Sequence, residues 1–125
     1  LAGHRHRLVG PVDIKKGAAR PMANLARFHA LANGLTVSAT LDRLAAVEEL
    51  GVLDDETAAG LREAFTTVSR VRLEHHAAAF GAGRTPDDVV DPDELPPLAR
   101  LDLQAALRAI AAAQKQLSHH EPLAA

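Results

Sequence analysis

The chain contains no cysteine, tryptophan or tyrosine, and it has only three phenylalanines. The absence of cysteine excludes a disulfide framework and thiolate metal sites. Aromatic residues are 2% of the chain and hydrophobic residues are 47%, so the core must consist of Leu, Val, Ile and Ala. These residues favour closely packed helices, because a β-sandwich or barrel normally contains more aromatic and β-branched side chains.

The chain also lacks a long apolar run, a visible signal peptide and a strong charge of either sign. No stretch approaches the length of a membrane span, so no membrane is expected as a partner and the predicted compartment is the cytoplasm. The net charge of −2 gives no overall attraction to nucleic acid. The 125 residues fit one domain that can bury a core. Because the first residue is Leu1 and not Met, we expect a piece of a longer protein.

Capping residues and apolar spacing predict four helices with short connections. Their expected limits are about Arg20 to Asn33, a cap at Thr40 to Gly51, a cap at Asp54 to about Phe80, and Pro96 to about His119. Gly34 is expected to end the first helix in a left-handed conformation. The predicted fold class is therefore all-α, an antiparallel bundle of about four helices with a short extended N-terminal segment. We assign residues 1–16 to an extended segment that leads in from an upstream domain, and residues 17–121 to the bundle.

Apolar residues at helical spacing predict which face of each helix points inward. For the first helix these are Met22, Leu25, Phe28, Ala32 and Leu35; for the second, Leu41, Leu44, Ala45 and Val47; for the fourth, Leu103, Leu107, Ile110, Gln114 and Leu117. Before the first helix, residues 12–15 alternate apolar and polar side chains as an edge strand would. We expect that strand to lean on this domain or on the upstream one. Residues 84–96 are rich in Pro and Asp and are predicted to form a solvated loop.

One face of the predicted third helix changes from apolar to polar residues along its length. Leu61, Phe65 and Val68 are apolar, and Arg72 and His75 continue the same spacing with polar groups. One interpretation is that this face reaches the rim of the bundle, where Arg72 buries its stem and keeps its charge in water. The other is an inward polar cluster that meets a ligand or a neighbouring domain.

Three histidine pairs occur, at His4 and His6, at His75 and His76, and at His119 and His120. Adjacent histidines on a helix point about 100° apart, so they cannot readily share one ion. The pair at His4 and His6 has no obvious third ligand. We therefore expect solvated or partly packed histidines and no metal site. A phosphate-binding glycine loop, a nucleophile elbow and a His-Glu-x-x-His motif are also absent from the sequence, so no catalytic residues are predicted.

The most informative stretch is the junction between the predicted strand and the first helix. Lys15, Lys16 and Arg20 place three cations there, together with Gly17. A strand-to-helix junction presents free backbone N–H groups and the positive end of a helix dipole, and added cations would favour phosphate. An ordinary basic turn is the alternative interpretation.

The residues of this junction also carry a resemblance. Residues 13–21 read Asp-Ile-Lys-x-Gly-x-x-Arg-Pro, and further matching positions follow at Leu25, Ala26, Arg27, Ala30, Leu31, Thr40, Arg43, Leu44, Leu61, Ala64, Phe65, Arg72, Leu73, His75, Asp91, Pro92 and Leu95. In order and spacing the chain resembles the nucleotidyltransferase substrate-binding domain family from Val12 to about Leu117. That domain is the C-terminal helical part of bacterial proteins that often also carry cyclic-nucleotide-binding-like and CBS domains.

The junction is also similar to the region after the catalytic domain in glutamine synthetase adenylyltransferase and the nitrogen-regulatory uridylyltransferase. Those enzymes usually have Gly-Gly before the arginine, where this chain has Ala18 and Ala19. They also tend to have an acidic residue where this chain has Pro21 and Met22.

The resemblance implies an upstream nucleotidyltransferase domain in the same chain, with a Gly-Ser pair and an Asp-x-Asp site for Mg²⁺ and a nucleoside triphosphate. The Gly-Ser pair does not occur in the 125 residues, and the only Asp-x-Asp spacing, at Asp91 and Asp93, has no such pair before it, so no cofactor is expected within them. The implied role is an accessory substrate-binding domain of a signal-transduction protein that is not catalytic alone. The candidate substrate-binding residues are Lys15, Lys16, Arg20, Arg72 and His75. The alternatives are a non-enzymatic regulatory or protein-interaction module, and a homodimerisation domain with an exposed Ala/Leu face.

Overall fold

The computed structural model describes residues 10–120, and it describes the side chains of residues 10–117. Its four helices are α1 (Arg20–Ala32), α2 (Thr40–Glu49), α3 (Asp55–Gly81) and α4 (Pro97–His120). Two short strands, β1 (Val12–Asp13) and β2 (Val89–Val90), complete the fold together with a π-helical turn at Lys15–Ala19 and a 3₁₀ turn at Pro92–Glu94. The predicted all-α bundle is confirmed. The predictions for residues 1–9, including the pair at His4 and His6, and for the side chains of His119 and His120 lie outside this description.

Local signals set the helix limits close to the predicted ones. Asp54 caps α3, because its Oδ1 accepts a hydrogen bond from the Thr57 N–H at 2.7 Å. The predicted cap at Thr40 is wrong: Ala39 occupies the cap position, no side chain bonds there, and Thr40 is already helical. Gly34 has a φ of 71°, so the left-handed end predicted for the first helix is confirmed.

The segment before α1 is less extended than predicted. Only Val12 and Asp13 form a strand, and the chain then turns at Ile14 into the π-helical turn that runs directly into α1. The prediction of strand structure as far as Lys15 is therefore wrong. The physical reason lies partly in burial: Ile14 and Ala18 are completely buried while Lys16 between them is exposed, which a helical turn allows, whereas an extended strand would place all three on one face.

The predicted loop at 84–96 contains the second strand. Val12 pairs with Val90 and Asp13 with Val89 in an antiparallel register. Two β-branched residues between prolines favour an extended conformation, and Val90 is buried in the core. Strand β1 thus leans on this domain itself, which was one of the two expected outcomes.

The helices pack α1 against α2, α2 against α3, α3 against α4 and α4 against α1. Arg70 pairs with Asp102, and a side chain at Gly60 would meet Ala109, so α3 and α4 run antiparallel. No helix within residues 10–120 is long and apolar enough to cross a membrane.

Two helices bury only part of the predicted face. On α1 the buried residues are Met22, Leu25, Ala26 and Ala30, while Phe28 and Ala32 are exposed. On α2, Leu44 and Val47 are buried, while Leu41 and Ala45 are exposed. Alanines at the α1 contact let neighbouring helices approach closely. The α4 stripe holds for Leu103 and Ile110, but Gln114 is exposed.

Candidate functional site: a basic groove beside a carboxylate-bridged loop

The basic junction begins with a local cap. The Oδ1 atom of Asp13 accepts hydrogen bonds from the backbone N–H groups of Lys15 at 3.1 Å and Lys16 at 2.9 Å. The expectation that the junction offers free N–H groups is therefore wrong for these two residues. An anion at this corner could not use these two backbone donors, because Asp13 already occupies them.

The cationic side chains themselves are available. Lys15, Lys16 and Arg20 are exposed, and no hydrogen bond or ion pair joins their side chains to any residue that the structure describes. Lys16 and Arg20 line one groove between α1 and the C-terminal part of α4, and Lys15 is not among its lining residues.

That groove has a volume of about 360 Å³, within the lower range for small-molecule sites. Pro21, Leu25 and Leu117 supply its apolar lining, and Asn24, Phe28 and Gln114 complete it with Lys16 and Arg20. None of these lining residues is acidic. The groove thus combines two cations without a partner among the described residues, two amide side chains and an exposed aromatic ring.

The other two candidate residues lie in a separate polar cluster on α3. The Nε atom of Arg72 donates to Asp88 Oδ1 at 2.8 Å, and its Nη2 atom lies 3.4 Å from Oδ2. His76 Nε2 donates to the same Oδ1 atom at 2.7 Å. The guanidinium of Arg72, followed by the bond from His76, holds the pKa of the Asp88 carboxyl below its usual value.

His75 makes a parallel contact with the neighbouring carboxylate. Its Nε2 atom donates to Asp87 Oδ1 at 2.9 Å, and the same oxygen accepts the Val89 N–H at 3.1 Å. These two bonds lower the pKa of Asp87, with His75 the larger cause. The carboxylates predicted to belong to a solvated loop therefore bind that loop to α3.

The backbone of Asp88 connects this cluster to the basic junction. Its carbonyl oxygen accepts a hydrogen bond from the N–H of Ile14 at 2.7 Å, next to the β1–β2 pair. Ile14 directly precedes the turn that carries Lys15 and Lys16. The carboxylate-bridged loop therefore helps to fix where the basic turn begins.

The structure thus divides the five candidate residues into two groups. Lys16 and Arg20 share the α1–α4 groove, and Lys15 lies beside it in sequence. Arg72 and His75 are paired with carboxylates of the same chain, and their contact with a substrate stays a prediction. Sequence reasoning missed Asn24, Phe28 and Gln114 in the groove. The four-residue steps from Lys16 through Arg20 and Asn24 to Phe28 were the available signal.

A larger groove, of about 670 Å³, lies between α3 and α4. Its two arginines are both paired, Arg62 with Glu48 and Arg70 with Asp102, and Glu63 adds a further negative charge. Because these charges compensate one another, this groove offers an anion much less than the α1–α4 groove does.

The residues do not fit the metal that the upstream domain is expected to bind. Within residues 10–120, no three or more His, Cys, Asp or Glu side chains are grouped so that they could hold a metal ion. We therefore derive no step through Mg²⁺ for this chain.

Of three comparisons with known proteins, one gives a match. Neither a curated protein nor a solved structure matches the chain. A family described as "Putative nucleotidyltransferase substrate binding domain" matches it over residues 2–121. This match spans both strands, all four helices and every residue of the groove, so the chain belongs to that nucleotidyltransferase substrate-binding domain family.

Proposed function

We propose that the chain is the accessory substrate-binding domain of a signal-transduction nucleotidyltransferase, and that its α1–α4 groove faces the substrate. The observation that carries this proposal is the pair Lys16 and Arg20, which border a groove without acidic residues and have no partner among the described residues. Membership of the family is the second supporting observation, because the family's name implies a nucleotidyltransferase region in the same chain.

The physical role of such a domain is positioning. Holding a substrate beside a catalytic centre replaces a bimolecular encounter with an oriented one, which contributes to rate without any chemistry in the accessory domain. An arginine presents a planar fork of donors to phosphate or carboxylate, and a lysine adds a flexible point charge. Arg20 and Lys16 together could therefore hold the anionic part of a nucleotide or of an acceptor.

The test is the double substitution Lys16→Ala and Arg20→Ala in the full-length protein. Because charge-assisted hydrogen bonds would be lost, we expect affinity for the nucleotide or for the acceptor to fall by about 10-fold or more. Isothermal titration calorimetry with each substrate measures this change. Arg108→Ala is the matched control, since Arg108 is an exposed cation of α4 outside the groove and should leave both affinities unchanged. Unchanged binding of both substrates in the double variant would exclude the proposed role.

A non-enzymatic interaction module is the second candidate function, and the outer face of α3 and α4 favours it. Leu73 and Phe80 lie seven residues apart on α3, and Leu98 and Leu101 lie near the start of α4; all four are more than half exposed. Exposed apolar side chains of this kind suit a contact with another protein surface. Intact substrate binding in the double variant, or an upstream region without Asp-x-Asp carboxylates, would favour this alternative.

A further inference from the structure

The α1 side of the groove is an ordered series of four side chains. Lys16, Arg20, Asn24 and Phe28 follow at intervals of four residues, so each lies about one helical turn beyond the last. All four are exposed and all four line the groove. At 1.5 Å per residue, Arg20 and Phe28 are separated by roughly 12 Å along α1. The groove is thus cationic at one end, amide-lined in the middle and aromatic at the other end.

The cations at this end differ from the arginines that form ion pairs within the fold. Arg62, Arg70 and Arg72 each have a carboxylate partner on another segment, and Arg43 donates to the Val37 carbonyl. Lys16 and Arg20 form no comparable bond within residues 10–120, and the same is true of other exposed cations such as Arg108. What distinguishes Lys16 and Arg20 is that both lie in the lining of the groove.

The aromatic end is formed by a side chain that is exposed and not buried in the core. Phe28 is 45% exposed, although the chain has only three phenylalanines with which to build a core. Helix α1 buries Ala26 and Ala30 instead, and Phe28 lies at the surface, where it lines the groove. An exposed ring beside a cleft provides a face on which a planar heterocycle can stack.

The middle of the series carries polar groups that are neither acidic nor basic. Asn24 on α1 and Gln114 on α4 both line the groove and are both exposed. Each amide can donate and accept hydrogen bonds. Amides placed between a cationic end and a ring suit the hydroxyl groups of a sugar or the edge of a base.

We propose that the α1–α4 groove binds a nucleoside polyphosphate, with its phosphates at Lys16 and Arg20 and its base on Phe28. The ligand's own order of phosphate, sugar and base matches the order of cation, amide and aromatic along α1. This inference rests on the proposed function, and it names the substrate that the groove takes: the nucleotide and not the acceptor.

The experiment compares two probes on the full-length protein, ATP and inorganic triphosphate, with EDTA present to suppress metal-dependent binding at the catalytic domain. We expect Phe28→Ala to weaken ATP binding on the order of 10-fold, the size of one base–aromatic stacking contact, and to leave triphosphate binding unchanged. Arg20→Ala should weaken both probes. Phe80→Ala is the matched control, because Phe80 is 79% exposed and lies outside the groove.

The outcomes separate the inference from the proposed function. Equal ATP affinity in Phe28→Ala and Phe80→Ala would overturn the inference, as would equal losses of ATP and triphosphate in Phe28→Ala. If Arg20→Ala then weakened only the acceptor, the accessory role would stand without a nucleotide in this groove. Since Phe28, Phe80 and Arg20 are all exposed, the variants should keep the wild-type melting temperature, which circular dichroism checks.

Discussion

Asp88 contacts two different parts of the chain through its two ends. Its carboxylate binds Arg72 and His76 on α3, and its backbone carbonyl binds the N–H of Ile14 before α1. The side chain is only 20% exposed, so its bond to Arg72 is better shielded than an ordinary surface ion pair. One residue therefore connects the long helix to the start of the basic turn.

Replacing Asp88 with Asn should weaken this connection without changing side-chain size. The variant loses the charge that pairs with Arg72, and we expect the free energy of unfolding to fall by about 1–2 kcal/mol, because a hydrogen bond to a charged group contributes about 1.5–3 kcal/mol and this pair is partly exposed to solvent. Urea denaturation followed by circular dichroism measures it. Glu94→Gln removes one negative charge from the same region, but Glu94 is exposed and forms no described side-chain bond, so its curve should match the wild type. Equal effects in the two variants would contradict a specific role for Asp88.

The same geometry bears on how Arg72 and His75 could meet a substrate. Both already donate to carboxylates, so an incoming anion must compete with Asp88 or Asp87 for their hydrogens. Lys16 and Arg20 face no such competition within the described residues. Under the proposed function, the principal anion contact therefore lies in the groove, and Arg72 and His75 hold the loop in position.

At the scale of the helices, α3 depends on a cap that α2 lacks. Asp54 accepts the Thr57 N–H, which is also the main reason that the pKa of Asp54 is lowered. We expect Asp54→Ala to lower the melting temperature by a few degrees, because an unpaired donor is left at the start of the longest helix. Thr40→Ala is the comparison, since the Thr40 hydroxyl caps nothing and its loss should leave the melting temperature nearly unchanged. Differential scanning calorimetry distinguishes the two, and an equal fall in both variants would contradict this assignment of caps.

The helices could be predicted because residues close to each end determine where a helix begins and ends. Pro21 in the first turn of α1, Asp54 before α3 and Gly34 after α1 each act within a few residues of their own position. The β1–β2 pair could not be predicted in the same way, because Val12 and Val90 are joined only by the folding of everything between them. The bonds from Asp88 to α3 are non-local for the same reason.

The candidate site was predictable only in part, and α1 shows why. The cations of the basic turn are visible as charges in the sequence, whereas the groove requires knowing which face of α1 meets α4. Alanine occurs on both the buried and the exposed faces of α1, so its positions do not indicate which face is buried. The spacing of the larger apolar residues alone predicted that Phe28 lies in the core. In the structure Met22 and Leu25 of that pattern are buried, whereas Phe28 is exposed and lines the groove.

At the scale of the whole molecule, one continuous path leads from α3 to the groove. It runs from Arg72 through Asp88 to Ile14, and from there along the π-helical turn to Lys16 and Arg20. Ile14 and Ala18 are fully buried along this path, so the basic turn is anchored to the core on its inner side. The α1 side of the groove is thus anchored to the core through the turn that precedes it.

This path makes the stability of the domain depend on pH in a defined direction. Since its folded-state pKa lies below the usual 3.8, Asp88 contributes stability that is present above pH 3.8 and is lost as the pH falls through the lowered pKa. The unfolding free energies of the wild type and of Asp88→Asn should therefore differ most from about pH 5 upward and converge in stronger acid. Urea denaturation at a series of pH values measures both curves, with Glu94→Gln expected to follow the wild type. A constant difference between the wild type and Asp88→Asn at neutral pH and in acid would mean that the ionised carboxylate of Asp88 is not what stabilises the path.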